Sequence, residues 1–513
     1  MERMPRYAAI DIGSNSIRME AAEVLPGQAS RILASDREVT RLGESVFRSG
    51  SVSEEAIATT CAVLERMAGL YRRLEVVGVR AVATSAVRDT RNQERFLERA
   101  SEAAGTEVEI ISGREEARLI HLGIENLWPH PGKRVLAIDI GGGSAEIIAA
   151  EDGRMTEAFS RPLGAVRLRE LFLNTDPPSQ VALRHMCEFI DEKLKPAVAR
   201  LANQRWDRVI ATSATASAVV SMIARVPRSR RDSIDRQRIT GAQIRQLWRK
   251  LATLDLAARR RITGIGPRRA EIIAPGVAVL ERFTAAFRSP SLYYSRAGVR
   301  DGIIADLAAR GVGREYSSLS REQRREVEQM ARRFAIAPEQ GRRVATLADT
   351  LFHALQPLHR LPPYYGKLLE AAAHLINIGH FISHSSHHKH SWYIVANADL
   401  SGFTARERMA IAQLCRYHRK SMPTAMHEPW QALPAEDKRS LLLLIPILRL
   451  ADGLDPAREG PLPSVSCRLT GDGVELQVDA ASAVDLDQWA AARTGDAFRQ
   501  VYGKPLAVVK ARR

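Results

Sequence analysis

"VLAIDIGGGSAEIIAAEDG", residues 135–153, decides how the N-terminal part of this chain folds. An apolar run ends in Asp139, glycines fill 141–143, and alternating β-branched residues lead to the turn "EDG". Glycines at such a place let backbone amides approach a phosphate. A dinucleotide fingerprint needs a strand, GxGxxG and then a helix, whose N-terminus takes the pyrophosphate. Here a second strand follows, so the unit reads as a hairpin. A P-loop needs GxxxxGK[ST], and no Gly-Lys-Ser/Thr occurs in the chain. What remains is a hairpin turn whose N–H groups and small polar side chains form a concavity for an anion.

The pattern occurs twice. "AAIDIGSNSIRMEAAEV" (8–24) aligns without gaps with "LAIDIGGGSAEIIAAED" (136–152), and Asp11 and Asp139 fall at equivalent places. A single copy would read as an ordinary glycine-rich hairpin. Two copies predict two related α/β lobes facing one cleft, each supplying a loop.

Outward from these hairpins, strand and helix patterns alternate to about residue 308. "SEEAIATTCAVLERMAGLYRRL" is an amphipathic helix with Ser53 as N-cap. "EVVGVRAVATSAV" reads as a buried strand, "REEARLIHLGIENL" as a helix and "DRVIATSATA" as a strand with a loop. From 309 to about 450 helical patterns dominate, and the tail returns to strands at "SVSCRLTGDGVELQV" and "PLAVV" with a helix between them. The expected domains are 1–130, 131–308, 309–450 and 451–513.

Length and composition agree with several folded domains: 513 residues exceed what one core usually holds. No run approaches the ~18 apolar residues of a membrane span, and the N-terminus lacks the apolar core of a signal peptide. Cys61, Cys187, Cys415 and Cys467 are scattered without a CxxC, so a reducing cytoplasm is the expected compartment. The formal net charge of +16 favours capture of polyanions. Only 5% of residues are aromatic, and basic and aromatic residues do not interleave, so nucleic acid is not the expected partner. Arginine-rich stretches such as "RSRRDSIDRQR" (228–238) read equally well as solvated faces.

The paired loops resemble those of the actin, sugar kinase and heat-shock chaperone ATPase superfamily, whose lobes are ribonuclease H-like. More narrowly, "DIGSNSIRM", "AVATSAVRDTRNQERFL", "IISGREEARLIHLGI", "IDIGGGSAEI" and "PLGAVRLRELF" are similar in order and spacing to the exopolyphosphatase and guanosine pentaphosphate phosphatase family. "RRAEIIAPG" and "GVRDGII" extend the likeness to about 308. The remainder resembles the long, four-domain members, with an all-helical HD-like module and a small α+β C-terminal domain.

Hydrolysis of a terminal phosphoanhydride requires held phosphates, offset charge and an activated water. Asp139 and Glu146, at the two ends of the second loop, are the candidate ligands for Mg²⁺ (or Mn²⁺) or for water, and the resemblance points to the same pair; Asp11 is expected to face the metal or a bridging water. By pattern alone Glu115 and Glu116 are indistinguishable, since acids in a first turn often only favour the helix dipole. The resemblance assigns the general base to Glu116. Ser14, Asn15, Gly142, Gly143 and Ser144 are the expected phosphate-holding loop residues, with Arg18, Arg88 and Arg269 as guanidinium contacts.

Two features sharpen the expectation. Family members often carry glycine after the strand equivalent to "DRVIATSATASAV", whereas this chain has Ala211, Ala214 and Ala216. Methyl groups there would hinder a nucleoside and so favour an inorganic chain. "HLINIGHFISHSSHHKHSWYIV" holds six of the 13 histidines, yet no His is followed by Asp, and Ile376-Asn377 stands where relatives carry His and an acid. A catalytically dead HD-like module is expected, with "HHKHS" (387–391) and "RYHRK" (416–420) as a basic surface guiding a polyanion. The expected activity is an exopolyphosphatase, a processive Mg²⁺-dependent hydrolase and homodimer acting on inorganic polyphosphate. Guanosine pentaphosphate 5′-phosphatase, polyphosphate:ADP phosphotransferase and a non-catalytic polyphosphate or nucleotide sensor are the alternatives.

Overall fold

A computed structural model describes residues 4–24, 30–311, 318–455, 461–470, 473–479 and 486–510. The chain divides into two compact units, Met1–Gly313 and Arg314–Arg513. No helix among the described residues is long and apolar enough to cross a membrane.

The first unit contains two sheets built alike. Strands β1 (Arg6–Ile12), β2 (Ile17–Glu23), β3 (Arg31–Glu38), β4 (Gly78–Ala83) and β5 (Val108–Ile110) lie in the order β3-β2-β1-β4-β5. Strands β6 (Arg134–Ile140), β7 (Ala145–Glu151), β8 (Arg154–Arg161), β9 (Arg208–Thr212), β10 (Arg238–Thr240) and β11 (Ser291–Tyr294) lie in the order β10-β11-β9-β6-β7-β8. In each sheet the opening hairpin is antiparallel, and its first strand runs parallel to the strand that follows a long excursion. The sequence duplication is therefore a duplication of topology, and the lobes have the actin-like fold. Tyr7 to Ile10 and Val135 to Ile138 are nearly fully buried, which is why both strands read as continuous apolar runs rather than alternating ones.

One helix joins the lobes. Val299–Ala309 follows the last strand of the second lobe but packs on the first sheet, where Ile303, Ile304 and Leu307 meet Tyr7, Ala9 and Val82. It crosses the helix Gly113–Leu127 so closely that a Cβ on Gly302 would fall 1.7 Å from the carbonyl oxygen of Leu119. A buried network locks this crossing. Arg80 reaches Glu115 and Asp306 at 3.1 Å each, and Arg118 reaches Glu115 at 2.7 Å and Asp306 at 2.9 Å. Burial alone would raise Asp306; Arg118, Arg310 and Arg80 instead hold it down to about 2.

Two local readings are corrected. "ATSATA" is not a loop: the helix Ser213–Ala224 begins directly after β9. Its small residues carry no helical periodicity because the helix is buried nearly all round. In the second unit, "HHKHS" opens the helix His387–Asn397. His387, His388 and His418 are buried there, with His387 and His418 Nε2 atoms 3.3 Å apart. Burial and neighbouring cations push His387 down to about 3 and His388 to about 4, so both are neutral and do not build the expected basic surface. Ile376 and Asn377 are buried too. Strands β12 (Ser464–Leu469), β13 (Val474–Asp479) and β14 (Leu506–Lys510) form a three-stranded sheet, whose Val474, Leu476 and Val478 share the core of the helical module.

Candidate active site

The duplicated hairpins put their loops face to face. In the first, Asp11 pairs across the strands with Arg18; in the second, Asp139 pairs with Glu146. Both turns close by the same bond, Gly13 N–H donating to Ser16 O at 3.2 Å and Gly141 N–H to Ser144 O at 3.0 Å. The carbonyls are drawn away from the cleft. Ser14 O accepts from Gly43 N at 2.7 Å, Gly142 O from Val166 N at 2.9 Å, and Gly143 O from Arg167 Nε at 2.7 Å. Amides of Asn15, Gly142 and Gly143 are left without an acceptor among the described residues. Such a ring of free N–H groups is an anion seat.

Glycine is required here by contact. A Cβ on Gly143 would lie 2.6 Å from both Ser14 Oγ and Ser85 Oγ, and one on Gly164 would lie 2.2 Å from Gly143 N. Gly164→Ala is therefore expected to push the second loop out of place. Its kcat should fall at least tenfold, with the melting temperature lowered by only a few degrees. Steady-state kinetics beside a thermal melt checks this.

The cleft between the loops has a volume of about 270 Å³. Asp11, Ser14, Asn15, Arg18, Glu116, Asp139, Gly142, Gly143, Ser144 and Arg269 all line it. Helix N-termini converge on it: Ser213 and Ala214 begin one helix, Gly298 and Val299 another, and Glu116 lies in the first turn of a third. Each presents positive dipole ends to an anion.

The two glutamates that pattern left open separate by environment. Glu115 is committed to Arg118 and Arg80 in the buried network; burial would raise it, but the arginines hold it below the ordinary range. Glu116, one residue on, turns to the cleft. Burial first, then the charge of Glu146, with Asp11 and Asp139 adding, pushes it well above the usual carboxylate range, while Arg88 opposes this. Burial and Asp139 raise Glu146 to about 7; burial raises Asp139 to about 6 against Thr212, whose hydroxyl donates to Asp139 Oδ2 at 3.0 Å, and against Arg18. A carboxylate raised in this way is suited to accept a proton near neutral pH.

Some expected site residues lie apart from the open cleft. Arg88 does not line the cleft: its guanidinium lies 3.4 Å from Glu116 and donates to Ile111 O at 2.7 Å, so it attends the glutamate rather than a free phosphate seat. Glu146 is fully buried and does not line the cleft; its Oε1 accepts from Ser160 at 2.9 Å. Asp11, Asp139 and Glu146 accordingly do not close a metal cage, and no three His, Cys, Asp or Glu side chains among the described residues converge to hold an ion. The donor set still fits Mg²⁺, which commonly binds through one or two carboxylates plus substrate phosphates and water: Asp11 and Asp139 line the cleft with raised pKa values that a cation would relieve. Of the alanines, Ala211 and Ala216 are core residues, and only Ala214 faces the cleft. Ser213 beside it holds φ +86°, so the backbone keeps a conformation that favours glycine.

Sequence reasoning missed Arg37, Arg231, Arg296 and Arg300, which also line the cleft. Arg231 sits in the stretch that read as surplus surface arginine. Arg300 lay within "GVRDGII", a segment already set apart by resemblance.

A family model of the Ppx/GppA phosphatase family matches residues 22–310, and one of Ppx/GppA phosphatase domain III matches 323–489. Among solved structures, the Aquifex aeolicus Ppx/GppA family member is 27% identical, with 60% of this chain and 98% of that one covered and a TM-score of 0.53. An exopolyphosphatase-like protein is 27% identical over 60% and 98% of the two chains at a TM-score of 0.56. An exopolyphosphatase from Cytophaga hutchinsonii, 24% identical over 59% and 97% at a TM-score of 0.55, shares the fold. With its duplicated loops, its cleft glutamate and both domain models in sequence order, this chain belongs to the Ppx/GppA phosphatase family.

Proposed function

We propose that the chain is an exopolyphosphatase, which releases orthophosphate from the end of inorganic polyphosphate by attack of water. The observation that carries this reading is Glu116, buried, raised in pKa and aimed into a cleft walled by two anion-seating loops and by arginines. The terminal phosphoryl group sits between the loops, with its oxygens on the amides of Asn15, Gly142 and Gly143. Glu116 takes a proton from the attacking water, and Arg18 offsets charge that develops on the transferred group. Asp11 and Asp139 are the residues that would hold Mg²⁺, which when bound would supply further charge neutralisation. Among the described residues the only aromatic side chain lining the cleft is that of Tyr294, and the abundance of guanidinium groups suits a chain of phosphates better than a nucleoside.

Comparison of kcat/KM on long-chain polyphosphate and on guanosine pentaphosphate tests the substrate. A higher value on polyphosphate is expected; a higher value on guanosine pentaphosphate would make this chain a guanosine pentaphosphate phosphatase. Addition of ADP should not divert phosphate into ATP.

The electrostatics predict a pH profile. Because Glu116 acts deprotonated, kcat/KM should fall on the acid side with a midpoint well above the ordinary carboxylate range. Glu146→Gln removes a like charge beside Glu116, so the base ionises more readily and the acid limb should move to lower pH. A limb that stays in place separates Glu146 from the titration of the base.

A further inference from the structure

Two short helices occupy matching places in the duplicated lobes, Leu42–Ser49 after β3 and Ala165–Phe172 after β8. Each holds the loop of its own lobe by the carbonyls. Gly43 N–H donates to Ser14 O at 2.7 Å; Ala165 N–H donates to Gly141 O at 3.0 Å, and Val166 and Arg167 N–H donate to Gly142 O at 2.9 and 3.1 Å. A side chain takes the next carbonyl of the second loop, Arg167 Nε donating to Gly143 O at 2.7 Å. A trans peptide sets N–H opposite C=O, so this bond turns the amide of Ser144 away from Arg167, and Ser144 lines the cleft. The same guanidinium crosses to the first lobe. There it donates to Ser85 Oγ at 3.0 Å and to Asp89, and it lies 4.0 Å from the centre of the Phe47 ring. Phe47 in turn stands against the loop, since a Cβ on Gly143 would fall 2.7 Å from Phe47 Cζ. Two other ion pairs join these helices across the lobes, Arg48–Glu170 at 2.6 Å and Arg169–Glu44 at 3.2 Å, and among the described residues neither bonds to a loop.

We propose that Arg167 is a positioning residue for hydrolysis: it fastens the second anion-seating loop to the first lobe, and so fixes the spacing of the two loops and the aim of the amides that meet the transferred phosphoryl group. The inference rests on the reading of the cleft as a phosphoanhydride-hydrolysing site, whichever phosphate chain enters it. The planar fork of a guanidinium serves partners on two sides at once, here Gly143 O in one lobe and Ser85 and Asp89 in the other, which the point charge of a lysine cannot do. Ser85 Oγ accepts from Arg167, which leaves its own hydrogen to give, and Ser85 lines the cleft.

The test compares Arg167→Met with Arg169→Met in the full chain, on whichever of long-chain polyphosphate and guanosine pentaphosphate the wild type hydrolyses faster. Met keeps an unbranched apolar stem on Phe47 while the charge-assisted bonds are lost. In Arg167→Met kcat should fall roughly tenfold or more, with KM within threefold of wild type. Arg169→Met removes a lobe-to-lobe ion pair on the same helix and should keep kcat within twofold. Equal losses in the two variants, or none in Arg167→Met, overturn the positioning role. Should Arg167→Met not fold, Asp89→Asn decides: Asp89 is 41% exposed and lies outside the cleft, and its loss from the first-lobe end should lower kcat at least threefold, an unchanged kcat overturning the proposal. Hydrogen–deuterium exchange gives a reading that needs no turnover. Gly141 N–H, which closes the second loop, should exchange at least tenfold faster in Arg167→Met and at the wild-type rate in Arg169→Met. Unchanged exchange in Arg167→Met overturns the proposal, whereas faster exchange in a chain that hydrolyses neither substrate supports it and counts only against the reading of the cleft.

Discussion

Glu116→Gln is expected to lower kcat by about 10²–10⁴, the usual range for removal of a positioned general base, with KM within a few-fold of wild type. Gln keeps the shape and one acceptor oxygen, so the loops and the neighbouring Arg88 should stay in place. The loss therefore reports on proton transfer and not on binding. The acid limb of the pH–rate profile should vanish along with most of the rate, because the group that titrates is gone. A variant that keeps its rate would remove Glu116 from the chemistry and leave the neighbouring carboxylates to be tested in its place. Circular dichroism and a thermal melt confirm that the fold is intact. Loss of a buried like charge beside Glu146 should leave the variant at least as stable as wild type at pH 8.

The opposite outcome is expected for the network one residue upstream. Arg118→Met strips Glu115 and Asp306 of a shared partner in a site where Arg118 is only 2% exposed. Removal of one member of a buried ion-pair cluster costs about 3–5 kcal/mol. The denaturant midpoint of the first unit should drop accordingly. The sign of the pH dependence follows from the same contacts. Glu115 and Asp306 are held below their unfolded pKa values, so their contribution is present above the ordinary carboxylate range and is lost as pH falls from there through their lowered folded values. In Arg118→Met that acid sensitivity should shrink. A midpoint equal to wild type would mean that Arg80 and Arg310 suffice to hold the crossing of Gly113–Leu127 and Val299–Ala309.

Much of this was legible in the sequence because the deciding signals are local. A glycine-rich turn between two β-rich runs cannot be a Rossmann or P-loop turn, and its repetition at Asp11 and Asp139 forecast two lobes and one cleft. The residues read from the two loops and Glu116 line one cleft. Other features depended on the fold. Glu115 and Glu116 differ by about a quarter of a helical turn, and only the fold, which brings Arg80 from β4 against Glu115, makes one structural and turns the other to the cleft. Asp139 and Glu146 looked equivalent as loop-end acids, but pairing directly across a hairpin does not decide exposure, and Glu146 does not line the cleft. Arg18 occupies the same register position in the first hairpin, so the two lobes bring opposite charges to corresponding places. Arginines such as Arg37 and Arg231 carry no pattern that separates a cleft wall from a solvated face. Histidines at 387, 388 and 418 read as a basic patch because sequence gives charge type but not burial, and burial keeps them neutral.

The central claim is tested most directly by incubating the purified wild-type chain with long-chain polyphosphate and Mg²⁺ and following free orthophosphate alongside the lengths of the remaining chains. The account predicts that orthophosphate is the only small product and that it accumulates while long chains persist. No orthophosphate, or chains cut internally into shorter polymers, would contradict it.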